Sequence, residues 1–242
     1  MINGRILAIT IFRAIAIFVA VLSAPSIYSQ DLSRYREFQF GTSLPAVAKQ
    51  AHLKPLEARA IHQRPAVIQE LTWEAQSFPS SSPGSDSVKN ILFSFYNGEL
   101  FRMVVTYDSD RIEGLTAEDI VEAVSAKYGT ATRPVAEIIL SSTNFYNGGE
   151  KIISDQSEKV LARWEDSQYS FNLYQPSYQS TFGMVMYSKR LDALARAAIA
   201  EAVRLDDQEA PQREAARQNK KDKESRARQE KARQVNKAPF RP

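Results

Sequence analysis

The chain of 242 residues contains no cysteine, which excludes a disulfide framework, a thiolate nucleophile and any cysteine-ligated metal centre. Its folded state must therefore rest on an apolar core. Histidine is nearly as scarce: His52 and His62 are the only two. Their separation matches no zinc-ligand spacing, so neither is assigned as a ligand and no metal or cofactor is implied. No Gly-x-Ser-x-Gly elbow occurs, and Ser43 after Gly41 reads better as a helix cap than as a nucleophile.

Acidic side chains are missing from residues 1 to 29. That segment has Arg5, a largely apolar run from Ile6 to Ala24 whose only charged residue is Arg13, and then Pro25 to Ser29. A basic start, an apolar middle and small residues near the end are the parts of a secretory signal. Ala14 to Ala24 is 11 residues long, well short of the roughly 20 needed to cross a bilayer. The expectation is an exported protein, periplasmic or secreted, with cleavage near Ser29. The alternative is an uncleaved inner-membrane anchor from Ile6 to Ile27.

With 43% hydrophobic and 24% charged residues, the rest can bury a core. Charge is unevenly placed. Residues 211 to 242 carry 11 bases against 4 acids, whereas residues 30 to 210 carry 18 bases against 24 acids. The organisation expected is a signal (1–29), an α+β globular domain (30–210) and a basic tail, helical or disordered (211–242).

Within the domain, Tyr35 to Phe40 reads as a short strand, and Ser43-Leu44-Pro45 as the start of a helix over 44–51. Pro55 and Pro65 bracket a segment left unassigned. Val67 to Trp73 is strand-like, and Phe78 to Asp86 is a Ser/Pro/Gly loop. Val88 to Tyr96 and Glu99 to Tyr107 flank Asn97-Gly98, the preferred pair of a type I′ turn, and so form a β-hairpin. Thr116 caps a helix with Ile120, Val121, Val124 and Tyr128 on one face, ended by Gly129. Val135 to Leu140 reads as a strand, Ser141 to Asp155 with Asn147-Gly148-Gly149 as a turn or exposed loop. Val160 to Trp164, Tyr169 to Tyr174 and Phe182 to Tyr187 read as strands. A last helix, Ser188 to Leu205, should pack on the sheet, with Pro211 marking its end.

Two halves, 35–110 and 115–205, share an α-β-β-β order with Trp73-Glu74 and Trp164-Glu165 in matching places, which suggests a duplication. The fold class expected is α+β: antiparallel sheet with packed helices, a long C-terminal helix and a charged tail. Phe40-Gly41-Thr42-Ser43-Leu44 with Val47 resembles the small envelope proteins of the SmpA/OmlA (BamE-like) type, over Phe38 to Tyr107. That resemblance implies a helical segment before a three-stranded antiparallel sheet. The chain lacks the lipobox cysteine and has a second α/β half, so anchoring and assembly roles are not implied. It is also similar to uncharacterised exported bacterial proteins, which imply no activity.

Candidate binding residues are Tyr96, Phe101 and Arg102 on the hairpin face, expected to meet an envelope protein. Lys220, Lys221, Lys223, Arg226 and Arg228 in the tail would attract an anionic surface such as lipid headgroups, rather than nucleic acid. Arg102, Arg111, Arg133 and Arg163 read as side chains snorkelling at sheet edges. Asp108, Asp110, Glu113, Glu118 and Asp119 offer the alternative of a carboxylate-dependent hydrolase. A solvated turn and a helix N-terminus explain the same cluster.

Overall fold

The computed structural model describes residues 31–75, 87–145, 151–177, 181–237 and 239. The expected signal and the expected 78–86 loop lie outside those residues. Among the described residues, ten strands and three α-helices follow in order. β1 (Arg34–Tyr35) and β2 (Phe38–Gln39) precede α1 (Leu44–Gln50), a 3-10 turn (Pro55–Glu57), β3 (Arg59–His62), β4 (Ile68–Glu74), β5 (Val88–Tyr96) and β6 (Glu99–Tyr107). α2 (Ala117–Tyr128), β7 (Glu137–Phe145), β8 (Lys151–Glu165), β9 (Tyr169–Tyr174), β10 (Gly183–Ser188) and α3 (Lys189–Lys237) complete the chain.

The fold is α+β, organised on one antiparallel sheet of eight strands in the order β3-β4-β5-β6-β10-β9-β8-β7. Each half is a helix followed by a four-strand meander, and the halves join where β6 pairs with β10. The order is thus α-β-β-β-β twice, one strand longer per half than the repeat read from the sequence. β4 and β8 are the second strands of their meanders, and Trp73 and Trp164 each stand next to last on them.

Turn chemistry fixes the central hairpin. Asn97 (φ 49°) and Gly98 (φ 83°) take the left-handed backbone a type I′ turn requires, and Asn97 Oδ1 also accepts from Val67 N at 2.9 Å. A bulge opposite Ser94/Phe95 shifts the register between Leu100 and Arg102. Leu100 and Phe101 point to opposite faces and are both buried, because both faces are covered there. The segment after β2 lies along this hairpin: Gly41 N donates to Leu100 O, Leu100 N to Thr42 O, and Leu44 N to Gly98 O.

The main core fills the sheet face covered by β1, β2, α1 and α2. Phe38 meets Phe93 edge-on with centroids 4.7 Å apart, Tyr128 meets Phe171 at 4.9 Å, and Phe40 stacks on Tyr169 at 5.5 Å. Such pairs contribute about 0.5–1.5 kcal/mol each beyond the area they bury. The capping box of α2 is complete: Asp119 N donates to Thr116 Oγ1 at 3.2 Å and Thr116 N to Asp119 Oδ2 at 2.7 Å.

Two elements cover the other face. The start of α3 packs Leu191 and Ala195 on Ile68 and Phe101. β7 reaches back over β6 and β10, where Ile138 joins Val160, Tyr174 and Val185.

Four local expectations are corrected. Tyr35 to Phe40 is a tight two-residue hairpin, because Arg36 at φ 55° reverses the chain. Ser43 stands at the N-cap of α1 but its side chain makes no capping bond. Ser141 to Phe145 and Lys151 to Asp155 pair as strands of the long β7–β8 hairpin, with residues 146–150 outside the described set. Finally, α3 runs through Pro211 to Lys237 without a break. The N–H that proline lacks would have bonded Asp207, an exposed residue whose carbonyl water can serve. The Ala/Glu/Gln/Arg-rich sequence beyond continues the helix.

Candidate functional site

The hairpin residues do not form an open surface. Phe101 is 4% exposed beneath α3, and Tyr96 packs half-buried against the same cluster. An apolar hairpin face that sequence reading offers to a partner is thus covered by the chain's own helix. Arg102 is not at a sheet edge either, since β6 lies at the centre of the sheet. Its Nη2 donates to Ile139 O at 2.8 Å, while Nε has no hydrogen-bond partner. Desolvation pulls its pKa down, opposed first by the charge of Asp192. Asp192 is 5% exposed and accepts from Arg196 Nε at 2.6 Å through Oδ2. Arg102 is therefore a packed cation between α3 and β7. Arg133 pairs with Glu118 at 3.1 Å, and Arg163 Nε donates to Asn172 Oδ1 at 2.6 Å.

The carboxylates at 108–119 have local tasks. Asp108 Oδ1 accepts from Asp110 N at 3.0 Å, Glu118 holds Arg133, and Asp119 caps α2. The Thr116 backbone and hydroxyl bonds draw the pKa of Asp119 down, the opposite of what a general acid needs. His52 is exposed and His62 is 7% exposed. Among the described residues, no three or more of His, Asp and Glu gather as a metal site would require.

The tail residues are presented openly. Lys220, Lys221, Lys223, Arg226 and Arg228 are all exposed on α3, as is every described residue from 211 to 237. At 3.6 residues per turn, Lys220, Lys221, Arg228 and Lys231 fall within an arc of roughly 100°, and Lys223, Arg226, Arg233 and Lys237 within another of similar width. Bases thus form two stripes along the helix, with a sector of roughly 120° between them that carries Glu214 and Asp222 instead. Gln218 donates to Asp222 at 3.0 Å, and Arg217–Glu214 and Arg233–Glu230 pair along the axis. These contacts support a helix that buries nothing.

Two features joined by the fold are not visible in the sequence. One is a clasp: Arg64, in the loop after β3, reaches Glu209 through two bonds of 2.6 Å, and Arg213 reaches Asp206 at 2.6 Å. It fixes α3 where burial ends and the exposed part begins. The second is a cleft of about 430 Å³ between α2 and the β1 turn, lined by Tyr35, Tyr107 and Tyr128 with Arg36, Arg111 and Lys127. The local sign in the sequence is a base beside a tyrosine, at Tyr35-Arg36 and Lys127-Tyr128, but the six residues come from three separate stretches that only the fold brings together.

Fold and site together define a two-half α+β protein with a clasped, projecting basic helix. No family model, curated protein or solved structure matches the chain.

Proposed function

We propose that this chain is an exported, non-enzymatic binding module whose α3 extension engages an anionic surface in the cell envelope. One observation carries the reading: residues 214 to 237 continue α3 as an exposed basic helix beyond the clasp. At 1.5 Å per residue that arm extends about 36 Å. A helix polar on all sides gains nothing from the core, and its charge is suited to an external partner. Charge separation between arm and body leaves the acidic body repelled by the surface the arm seeks. The basic and apolar pattern of residues 1–29 supports an envelope location.

Vesicles of equal phosphatidylglycerol and phosphatidylcholine, compared with pure phosphatidylcholine, test this. The mature chain should sediment with the anionic vesicles only, and lose that binding in high salt. A chain ending at Ala210 should remain folded and stay in the supernatant. Equal sedimentation of both chains would exclude the arm as the binding element.

A further inference from the structure

The cleft beside α2 differs from the arm in shape and chemistry. Its floor is apolar: Ile112 and Ile120 are buried, and Leu115 and Val124 line it with part of their surface open. The Tyr107 hydroxyl is hydrogen-bonded with Tyr35, and burial first, then Tyr35, holds its pKa well above the ordinary tyrosine value. The Tyr107 hydroxyl accordingly keeps its proton. At the mouth stand Arg36, Arg111 and Lys127, with Asp119 the one acid of the lining. Asp119 is already engaged, its Oδ2 accepting from both Thr116 N and Thr116 Oγ1. Arg111 and Lys127 are exposed, with Lys127 Nζ 5.2 Å from the Tyr128 ring centroid.

A volume near 430 Å³ falls in the range of small-molecule sites, which combine an apolar wall with a few placed polar groups. We propose that this cleft binds a small anionic amphiphile: an acyl or alkyl body against Ile112, Ile120 and Val124, and a carboxylate or phosphate head between Arg111 and Lys127. The sign of the head follows from Arg111 and Lys127, which outnumber Asp119, the one acid of the lining. The single-tailed body follows from the size of the cleft. The site is independent of the arm, and stands or falls separately from it.

Titration calorimetry of the mature full-length chain with four ten-carbon probes, each below its micelle threshold, tests the assignment. Decanoate and decyl phosphate should bind, and their ratio identifies the preferred head. Decanol should bind roughly tenfold more weakly for want of charge-assisted hydrogen bonds, and decyltrimethylammonium should not bind. The variant Arg111→Gln/Lys127→Gln should reduce the anions to the level of decanol while leaving the melting temperature in place. Val124→Trp, which fills the cleft, should abolish binding of all three. Equal binding of the four probes would overturn the proposal. So would anion binding that survives Arg111→Gln/Lys127→Gln and vanishes in high salt, since that behaviour belongs to the arm.

Discussion

The indole N–H of Trp164 donates to the carbonyl of Gly129 at 2.8 Å and lies 3.2 Å from Ser125 Oγ. Strand β8 thereby holds the last turn of α2, the helix of its own half. Trp164 is 1% exposed, so Trp164→Phe removes a buried donor, leaves the Gly129 carbonyl without it, and opens a small cavity. Together these should cost about 2–3 kcal/mol, read as a lowered urea midpoint with unchanged slope. A midpoint equal to the parent's would mean that water replaces the indole freely.

What the sequence made legible was local chemistry with a strict conformational demand. Asn97-Gly98 has few alternatives to a I′ turn, and Thr116 followed by acids marks a helix start as Gly129 marks its end, so the hairpin and α2 were readable, while the reciprocal bond from Thr116 N to Asp119 was found only in the structure. The matching Trp-Glu pairs pointed to a repeat because β4 and β8 occupy equivalent places. Polar strands were harder: Ser141 to Asp155 has the composition of a loop, yet Ser141 to Phe145 and Lys151 to Asp155 pair because β7 and β8 satisfy each other's backbone. Alternation alone could not carry through Phe101, since the bulge resets the phase there and returns Met103 to the face of Leu100. The binding face inferred there disappeared under α3, a contact between residues about ninety positions apart that no local pattern encodes.

Gly183 and Tyr174 face each other across β9 and β10. A Cβ built on Gly183 would overlap the Tyr174 ring, and that ring is 3% exposed in a cluster with Ile138, Val160 and Val185. Gly183→Ala should therefore destabilise by about 2–3 kcal/mol through overpacking, although alanine suits strands better than glycine. The double variant Gly183→Ala/Tyr174→Leu should recover part of that loss. Failure of the second substitution to rescue would place the cost in the backbone instead.

Burial also pushes the Tyr174 hydroxyl up to about 12, helped by the charge of Glu158. The sign follows from linkage: the unfolded chain ionises this tyrosine near 10 while the native state keeps its proton, so stability is full below pH 10 and falls as pH rises towards 12. The loss attributable to Tyr174 should reach about 2–3 kcal/mol. Urea unfolding of the parent and Tyr174→Phe between pH 8 and 11 (roughly the range where tyrosine begins to ionise) should show a shallower decline for the variant. Parallel curves would exclude Tyr174 as a contributor.

Pro211 lies in the exposed part of α3, between the clasp residues Glu209 and Arg213. Replacing it with alanine restores an N–H to the helix and removes a residue about 3 kcal/mol less favourable there. Pro211→Ala should raise amide protection around residues 207 to 215 and leave the urea midpoint of the body unchanged, because no core contact is altered. A change confined to the body would show that the proline matters to the sheet rather than to the arm.

The clasp itself is acid-sensitive. Its bond to Arg64 draws the pKa of Glu209 below the ordinary 4.5, and the bond to Arg213 draws Asp206 below 3.8. Both carboxylates ionise more readily in the folded state, so their contribution is complete above those ordinary values and is lost as pH falls through the depressed ones. The pairs are solvent-exposed, so little change in global stability is expected. The effect should appear instead in where α3 opens. Hydrogen-exchange protection factors, which remove the intrinsic pH dependence, should fall at residues 203 to 213 in Arg64→Ala at neutral pH, with Leu191 and Ala195 unaffected. In acid, parent and variant should converge. Because the hydrophobic stripe of α3 ends near Ala202, the clasp is then what holds the base of the arm against the body. A variant whose protection at 203 to 213 equals the parent's at every pH would show that the stripe alone does so.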